Sequence, residues 1–279
     1  MGFAFALWLS KLLFPSVPTA AYVHYPTIST DMLQSLDTTS EGQGLNAGAG
    51  RGTKGALKKR YWHFFAWLYA RVGATIDVVM TNSSWTQAHI RSIWGPFRSS
   101  SRDEITVVFP PVAVEELEQA IDVSRGSEGN RLPHLLYIAQ FRPEKNHSIV
   151  VNSFAKLLLS RTWPALERPK LVLVGSVRDS DDATRVYKLR LLAHELQIKD
   201  DVEFVCDASW PQVLDRLRRS SVGVNGMWNE HFGIGVVEYQ AAGLISVVND
   251  SGGPKEDIVV EIDGQATGSL ASFFFTHQS

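Results

Sequence analysis

Short apolar runs alternate with amphipathic segments along the second half of this 279-residue chain. Apolar runs of four or five residues bounded by glycine or polar residues are typical of buried strands, and the segments between them have the period of helices. The pattern predicts strands at 135–139, 171–174, 202–205, 222–224 and 245–248, with helices at 147–159, 184–196, 210–219 and after residue 233. This alternation predicts an α/β fold with a parallel, doubly wound sheet and right-handed crossovers.

The first half of the chain contains similar elements in a less regular order. The pattern predicts strands at 20–25, 76–81 and 105–109, and helices at 27–36, 57–73 and 85–94. Asn82, Ser83 and Ser84 are suited to cap the last of these helices. The composition becomes polar and loosely helical after Pro110. We therefore predict two domains, at 1–112 and 113–279.

Residues 37–55 form a segment with few large apolar side chains. Such a segment does not bury enough apolar surface to offset its ordering entropy, so it is predicted to be a flexible loop. Gly50, Gly52 and Gly55 match the spacing of a dinucleotide-binding fingerprint. The match has no preceding strand and lies in low-complexity sequence, so we reject it as a site.

Two apolar segments leave alternatives open. Met1–Phe14 lacks the basic start of a signal peptide and is interrupted by Lys11, so a helix or a remnant of a longer segment is favoured. It is also too short to span a bilayer. The helix at 57–73 is apolar nearly all round and basic at its start. It either packs against a sheet or lies at a membrane surface, where cations and aromatic side chains meet the headgroups.

Overall composition excludes several function classes. The net charge is −2, so nothing in the overall charge suggests a polyanion, and a nucleic-acid partner is not expected. Cys206 is the single cysteine, which excludes an internal disulfide framework and fits a reducing compartment. Its place in an apolar run favours a buried residue over a nucleophile.

Polar residues that follow the predicted strands should meet at the carboxyl edges of the sheets, where ligands of such folds bind. They are cations, carboxylates, amides and glycine turns: His24, Asn82, Arg142, Glu144, Lys145, Arg178, Asn225, Glu230, Ser251, Gly252 and Gly253. The sequence has no His, Cys or Asp cluster at metal-ligand spacing, no nucleophile elbow and no P-loop. Cations and helix N-termini neutralise a diphosphate without a metal, and a carboxylate such as Glu238 binds a vicinal diol. Together these groups predict a nucleotide-sugar site without a metal or other cofactor.

Four sequence blocks resemble a known family. Glu230 and Glu238, separated by seven residues and followed by Ala-Ala-Gly, resemble the signature of retaining glycosyltransferases of the GT-B type. The blocks at 22–31, 140–147 and 251–259 are similar to the eukaryotic α-1,2-mannosyltransferases that use GDP-mannose and a dolichol-linked oligosaccharide. The resemblance implies two Rossmann-like domains. One would be a partial acceptor-side domain at 1–112, and the other a nearly complete donor-binding domain at 113–279.

The resemblance also implies roles on the sugar side of the site. Glu230 would contact the mannose hydroxyls, and Glu238 would bind the ribose diol of GDP. His24 would face the donor sugar near the acceptor, so His24 and Glu230 are the predicted catalytic residues.

The implied diphosphate site uses cations and glycines. Arg142 and Lys145 would neutralise the leaving group, and Gly233 would open a helix whose dipole points at the phosphates. Gly252 and Gly253 would complete the donor-binding set. The wider superfamily has its arginine five residues before the lysine, and this chain has Gln140 there. The family pattern is therefore not matched at Arg142.

The implied reaction adds the fourth and fifth mannoses of the N-glycan precursor at the cytosolic face of the endoplasmic reticulum membrane. The expected partners are GDP-mannose, the dolichol-linked oligosaccharide, the membrane surface and other glycosyltransferases of the pathway. Family members begin with a membrane span and a longer first domain, so the resemblance implies a chain truncated at both ends. A noncatalytic fragment that keeps GDP binding, or a related GT-B enzyme with another acceptor, are the alternatives.

Overall fold

The computed structural model describes residues 2–27, 53–100, 104–160 and 168–271. The chain divides into two compact units, Met1–Pro110 and Pro111–Ser279. The first unit contains a parallel sheet in the order β1-β2-β3. Its elements are α1 (Gly2–Leu13), β1 (Ala20–Val23), α2 (Thr53–Gly73), β2 (Val78–Thr81), α3 (Ser84–Trp94) and β3 (Ile105–Val107).

The second unit contains a six-stranded parallel sheet in the order β11-β8-β7-β4-β5-β6. This sheet confirms the predicted α/β fold. The elements of the unit are α4 (Val114–Ala120), α5 (Arg125–Glu128), β4 (Leu132–Ile138), α6 (His147–Ser160), β5 (Lys170–Gly175), α7 (Ser180–Glu195), β6 (Val202–Cys206), α8 (Trp210–Arg219), β7 (Ser220–Asn225), α9 (Ile234–Ala241), β8 (Ile245–Asn249), β9 (Glu261–Ile262), β10 (Gln265–Ala266) and β11 (Gly268–Ala271).

Helices cover both faces of the six-stranded sheet. Because successive side chains of a strand point to opposite faces, Leu136 and Tyr137 of β4 enter different hydrophobic clusters. Tyr137 packs with residues of α6 and α7, whereas Leu136 packs with residues of α4, α8 and α9. Burial on both faces explains why the strands have continuous apolar runs instead of an alternating pattern.

Gly223 of β7 leaves the space that the ring of Tyr239 occupies. A Cβ at this position would lie 2.2 Å from Tyr239 Cγ. We expect Gly223→Ala to lower the free energy of unfolding by about 1–3 kcal/mol, because overpacking forces a buried ring or backbone to move. Chemical denaturation measures the effect, with Gly129→Ala as the control, since a Cβ there meets its nearest atom at an ordinary 3.7 Å. Equal unfolding midpoints for the two variants would contradict the expectation.

The aromatic helix α2 has one buried face and one exposed face. Tyr69 and Val72 on one face of α2 are buried in a cluster with Trp94. Tyr61, Phe64 and Trp67 on another face are 57%, 60% and 48% exposed. The helix is therefore core on one side and presents aromatic side chains on the other. Among the described residues, none of the helices has the length and apolar character needed to span a bilayer.

The apolar N-terminal segment forms helix α1, and Ala4 is buried in the same cluster as Tyr69. Lys11, which interrupts the apolar run, donates to the carboxylate of Asp77. The hydrogen bond from Lys11, together with the backbone N–H of Thr19 at 2.8 Å, lowers the pKa of Asp77 to about 2. Lys11, the charged residue within the apolar run, thus links α1 to the segment before β2.

Several predictions made from the sequence are wrong in detail. The predicted loop at 37–55 ends too late, because α2 begins at Thr53. The remainder of that loop and residues 28–36 of the predicted helix lie outside the described residues. Cys206 is exposed and not buried, because it is the last residue of β6. Ser83 does cap α3, as predicted, since its side chain accepts a hydrogen bond from the Thr86 backbone N–H.

Candidate functional site

The candidate site lies at the carboxyl ends of β4 and β7. β5 and β6 lie on one side of β4, while β7, β8 and β11 lie on the other, so the strand order reverses between β4 and β7. In open parallel sheets the crevice at such a reversal is where ligands bind. The segment after β4 carries Arg142 and Lys145, and the segment after β7 carries Glu230.

An ion pair joins these two segments. Lys145 Nζ lies 2.5 Å from Glu230 Oε2, and the two side chains are 22% and 13% exposed. Asn225, the last residue of β7, donates from its Nδ2 to the same oxygen at 3.4 Å. The Asn225 side-chain oxygen accepts from the Met227 backbone N–H at 2.9 Å, which fixes the amide. The structure thus brings together a cation and a carboxylate that lie far apart in the sequence.

The backbone after β4 holds Lys145 in place. Pro143–Lys145 form a short 3₁₀ turn, which ends at Asn146 in the left-handed region with φ of 50°. The Tyr137 hydroxyl donates to the Lys145 carbonyl oxygen at 2.5 Å. Arg142 begins the turn and is half-buried, with its Nη1 3.9 Å from Glu144 Oε1. The two cations therefore belong to one short turn at the carboxyl end of β4.

Glycines shape the loop that carries Glu230. Gly252 has a φ of +72°, and a Cβ there would lie 2.3 Å from the Glu230 carbonyl oxygen. Gly253 donates its backbone N–H to that same oxygen at 2.7 Å. The predicted glycine pair after β8 therefore lies directly against the Glu230 backbone.

Gly233 precedes α9 and has a φ of +104°, a conformation that favours glycine. The helix N-terminus then begins at Ile234, and its backbone N–H groups provide a positive field for an anion. Glu238 lies on this helix, and burial raises the pKa of its carboxyl group. A carboxylate in this environment is partly shielded from water, which strengthens hydrogen bonds to a hydroxyl-bearing ligand.

His24 belongs to the first unit and directly follows β1. Its ring is exposed and packs edge-on against Tyr22, with the ring centroids 4.5 Å apart. Asn82, which follows β2, is buried and donates its backbone N–H to the Val23 carbonyl oxygen at 3.2 Å. Both residues occupy the carboxyl edge of the three-stranded sheet, as predicted for residues that follow parallel strands.

Arg178, another cation predicted for a carboxyl edge, has a local partner. Its Nε donates to Asp182 Oδ2 at 3.0 Å, and the two residues are one helical turn apart. This pairing places Arg178 at the start of α7, after β5, whereas Arg142 and Lys145 lie in the segment after β4.

Two buried tyrosines that support the site, Tyr137 and Tyr239, were not identified from the sequence. His147 begins α6, and its ring lies 4.9 Å from the rings of both Tyr137 and Phe141. The Tyr239 hydroxyl accepts from the Ile138 backbone N–H at 2.7 Å. The two tyrosines thus connect the end of β4 to Lys145 and to the helix that carries Glu238. The roles of these two hydroxyl groups could not be predicted from the apolar pattern, because that pattern counts a tyrosine ring as a core side chain.

We expect His147 to make stability depend on pH. Burial, aided by the positive charges of Lys145 and Arg185, lowers the pKa of His147 from 6.5 to about 4. The unfolded chain binds a proton here below pH 6.5, whereas the folded chain does so only near pH 4. The free energy of unfolding should therefore fall as pH drops from 6.5 to 4, by about 3 kcal/mol from this group.

Denaturation curves at pH 7, 5.5 and 4 measure this contribution. The matched variant is His147→Phe, which keeps an aromatic ring beside Tyr137 and Phe141. The difference in unfolding free energy between parent and variant should change across this pH range. A difference that stays constant would exclude His147 as the cause.

In the part of the chain that the structure describes, no group of three or more His, Cys, Asp and Glu side chains is arranged to hold a metal ion. The charges at the strand reversal are instead the Arg142 and Lys145 cations with the Glu230 carboxylate. Cations beside a helix N-terminus are chemically suited to an anion.

Comparison with protein families assigns the second unit. Residues 118–271, more than half of the chain, match the family described as "Glycosyl transferases group 1". The chain belongs to the group 1 glycosyl transferases. Residues 1–94 match a second family, described as "ALG11 mannosyltransferase N-terminus". The glycosyltransferase resemblance seen in the sequence motifs is thereby confirmed.

Curated relatives of this group 1 glycosyltransferase share one name, "GDP-Man:Man(3)GlcNAc(2)-PP-Dol alpha-1,2-mannosyltransferase". The Neurospora crassa protein is 66% identical over 98% of this chain and 51% of its own length. The human protein is 41% identical over 97% of this chain and 54% of its own length. The chain thus spans about half the length of the curated relatives it matches.

Solved structures support the same fold. Anabaena HepE in complex with UDP matches with a TM-score of 0.60 and 16% identity, covering 96% of this chain and 62% of that chain. A UDP-forming trehalose-phosphate synthase from Burkholderia xenovorans matches with a TM-score of 0.60 and 12% identity, covering 88% and 56%. At these identities the likeness concerns the GT-B fold alone, and it confirms the fold class predicted from the sequence.

Proposed function

We propose that this chain carries the donor site of a retaining α-1,2-mannosyltransferase that moves mannose from GDP-mannose to dolichol-linked Man3GlcNAc2 and Man4GlcNAc2. The names of its relatives support this substrate pair. The observation that carries the proposal is the Lys145–Glu230 pair at the reversal between β4 and β7, beside the N-terminus of α9. A cation, a carboxylate and a helix N-terminus suit a sugar diphosphate at this place in the fold.

Each end of the donor has a proposed partner. Lys145, Arg142 and the α9 N-terminus would neutralise the diphosphate, with Gly233, Gly252 and Gly253 allowing close backbone approach. Glu230 would bind the mannose hydroxyls, and Glu238 the ribose diol. These groups supply the charge stabilisation of the leaving group, so we propose that no metal or other cofactor is needed.

Transfer with retention needs no protein nucleophile in this scheme. The acceptor hydroxyl oxygen bonds to the mannose anomeric carbon as the bond from that carbon to the diphosphate breaks. The departing β-phosphate takes the hydroxyl proton, and GDP is released. The protein contributes by positioning and by stabilising charge. We propose that His24 of the first unit acts on the acceptor side of the reaction.

We also propose that the enzyme works at the cytosolic face of the endoplasmic reticulum membrane, with other glycosyltransferases of the pathway as partners. The exposed aromatic face of α2, formed by Tyr61, Phe64 and Trp67, supports contact with a membrane surface. A nucleic-acid partner is not proposed, because the net charge of −2 provides no general attraction for a polyanion.

Two assays test the proposal and its alternatives. Thermal unfolding with added GDP should show a higher midpoint for the parent chain and a smaller shift for Glu238→Ala. Incubation with GDP-mannose and the dolichol-linked acceptor tests turnover. No thermal shift in the parent would contradict the donor site. A shift without product would favour the alternative of a noncatalytic chain that binds GDP.

A further inference from the structure

The loop that carries Glu230 is tied to the turn after β8 by one hydroxyl group. The Asn229 backbone N–H donates to Ser251 Oγ at 2.9 Å. The same hydroxyl donates to Asn249 Oδ1 at 2.7 Å, and Asn249 is the last residue of β8. Ser251 Oγ therefore accepts from one segment and donates to the other, and its orientation is fixed by both bonds.

The residue held by this hydroxyl has a left-handed backbone conformation. Asn229 has a φ of 52°, in a region that asparagine adopts more readily than most residues but that is not the default for the chain. It directly precedes Glu230, so a relaxation of Asn229 would rotate the peptide that leads into the carboxylate residue. The bond from Asn229 to Ser251 opposes that relaxation at the point where it would begin.

The far side of Glu230 is fixed independently. Its carbonyl oxygen accepts from the Gly253 backbone N–H at 2.7 Å, and its carboxylate accepts from Lys145 and Asn225. On the N-terminal side of Glu230, the Ser251 hydroxyl supplies a hydrogen bond to the preceding residue. Loss of this tie should change where the carboxylate points while the sheet and the glycine turn keep their places.

We propose that Ser251 is a positioning residue, whose hydroxyl bridges Asn249 and Asn229 and so sets the direction of the Glu230 carboxylate toward the donor sugar. The inference rests on the proposed function, because it takes the Glu230 ligand to be the mannose of GDP-mannose. Ser251 itself need not touch the donor.

The test compares the affinities for GDP and GDP-mannose, measured by isothermal titration on this chain. Ser251→Ala should weaken GDP-mannose binding by about threefold to tenfold, the range expected for one misaligned or lost hydrogen bond, and change GDP binding by less than about twofold. Ser251→Thr keeps the hydroxyl and should retain the preference of the parent. Ser246→Ala is the control, because it removes a serine hydroxyl from the neighbouring strand β8, and that buried hydroxyl has no hydrogen-bond partner among the described residues.

A double-mutant cycle with Glu230→Gln separates positioning from general loosening. If Ser251 acts through Glu230, the two changes should be strongly non-additive for GDP-mannose affinity. Additive effects, or an equal loss for GDP and GDP-mannose in Ser251→Ala, would overturn the inference. If Ser251→Ala does not fold, Ser251→Cys replaces it with a weaker hydrogen-bonding group of similar size and is judged by the same outcomes. A parent chain that binds neither ligand would contradict the proposed function itself.

Discussion

Lys145→Ala is expected to lower the affinity of this chain for GDP-mannose by about 10- to 100-fold. Charge-assisted hydrogen bonds to a diphosphate contribute about 1.5–3 kcal/mol each, which corresponds to this range. The change also leaves Glu230 without the ammonium group that lies 2.5 Å from its carboxylate. The variant therefore loses attraction for the diphosphate and gains an uncompensated negative charge near it, and both effects weaken donor binding.

Isothermal titration of GDP-mannose measures this loss. Lys188→Ala is the matched control, since Lys188 is an exposed lysine on α7. The salt dependence of binding should also become weaker in Lys145→Ala, because one contact to the diphosphate is removed. Equal affinities for parent and Lys145→Ala would exclude this lysine from the donor site.

Tyr239→Ala is expected to lower the free energy of unfolding by about 3–5 kcal/mol, as for other large buried aromatic side chains. The Tyr239 side chain is 1% exposed and packs against Gly223 of β7. Its hydroxyl accepts from the Ile138 backbone N–H at the end of β4. The substitution therefore leaves a cavity and an unpaired donor at the two strands that flank the strand reversal.

Tyr239→Phe separates these two contributions. It keeps the ring and removes the hydroxyl, so it should cost about 1–3 kcal/mol for the unpaired Ile138 N–H. Chemical denaturation of the three proteins gives the comparison. A phenylalanine variant as unstable as the alanine variant would show that the hydroxyl alone matters. An alanine variant as stable as the parent would show that the Tyr239 ring does not contribute to the stability of the fold.

The α/β architecture was predictable because its signals are local. Apolar runs in 171–174 and 202–205 indicate buried strands, and both strands appear within one residue of these bounds. The helical period between them indicates the crossover helix, which begins at Ser180, four residues before the predicted start at 184. The short hairpin of β9 and β10 also had a local signal that was overlooked. Asp263 and Gly264 both have positive φ values, and Asp-Gly is a preferred pair for such a turn.

The contacts inside the site were not predictable, because they join residues that are distant in sequence. Lys145 and Glu230 are 85 positions apart, and Asn229 and Ser251 are 22 apart. The order of the strands in the sheet determines which of these residues come into contact, and the apolar pattern does not specify that order. The sequence did indicate Glu230, Lys145, Ser251 and the glycine pair as site candidates. The supports Tyr137 and Tyr239, and the bridge that Ser251 forms, required the folded backbone.

We propose that the carboxyl edge of the six-stranded sheet binds GDP-mannose. Isothermal titration of the parent chain and of Glu238→Gln measures this binding, because the variant keeps the volume of the side chain and removes its charge. We expect one saturable site in the parent that GDP competes for, and clearly weaker binding of both ligands in Glu238→Gln. No binding by the parent, or equal binding by the variant, would contradict it.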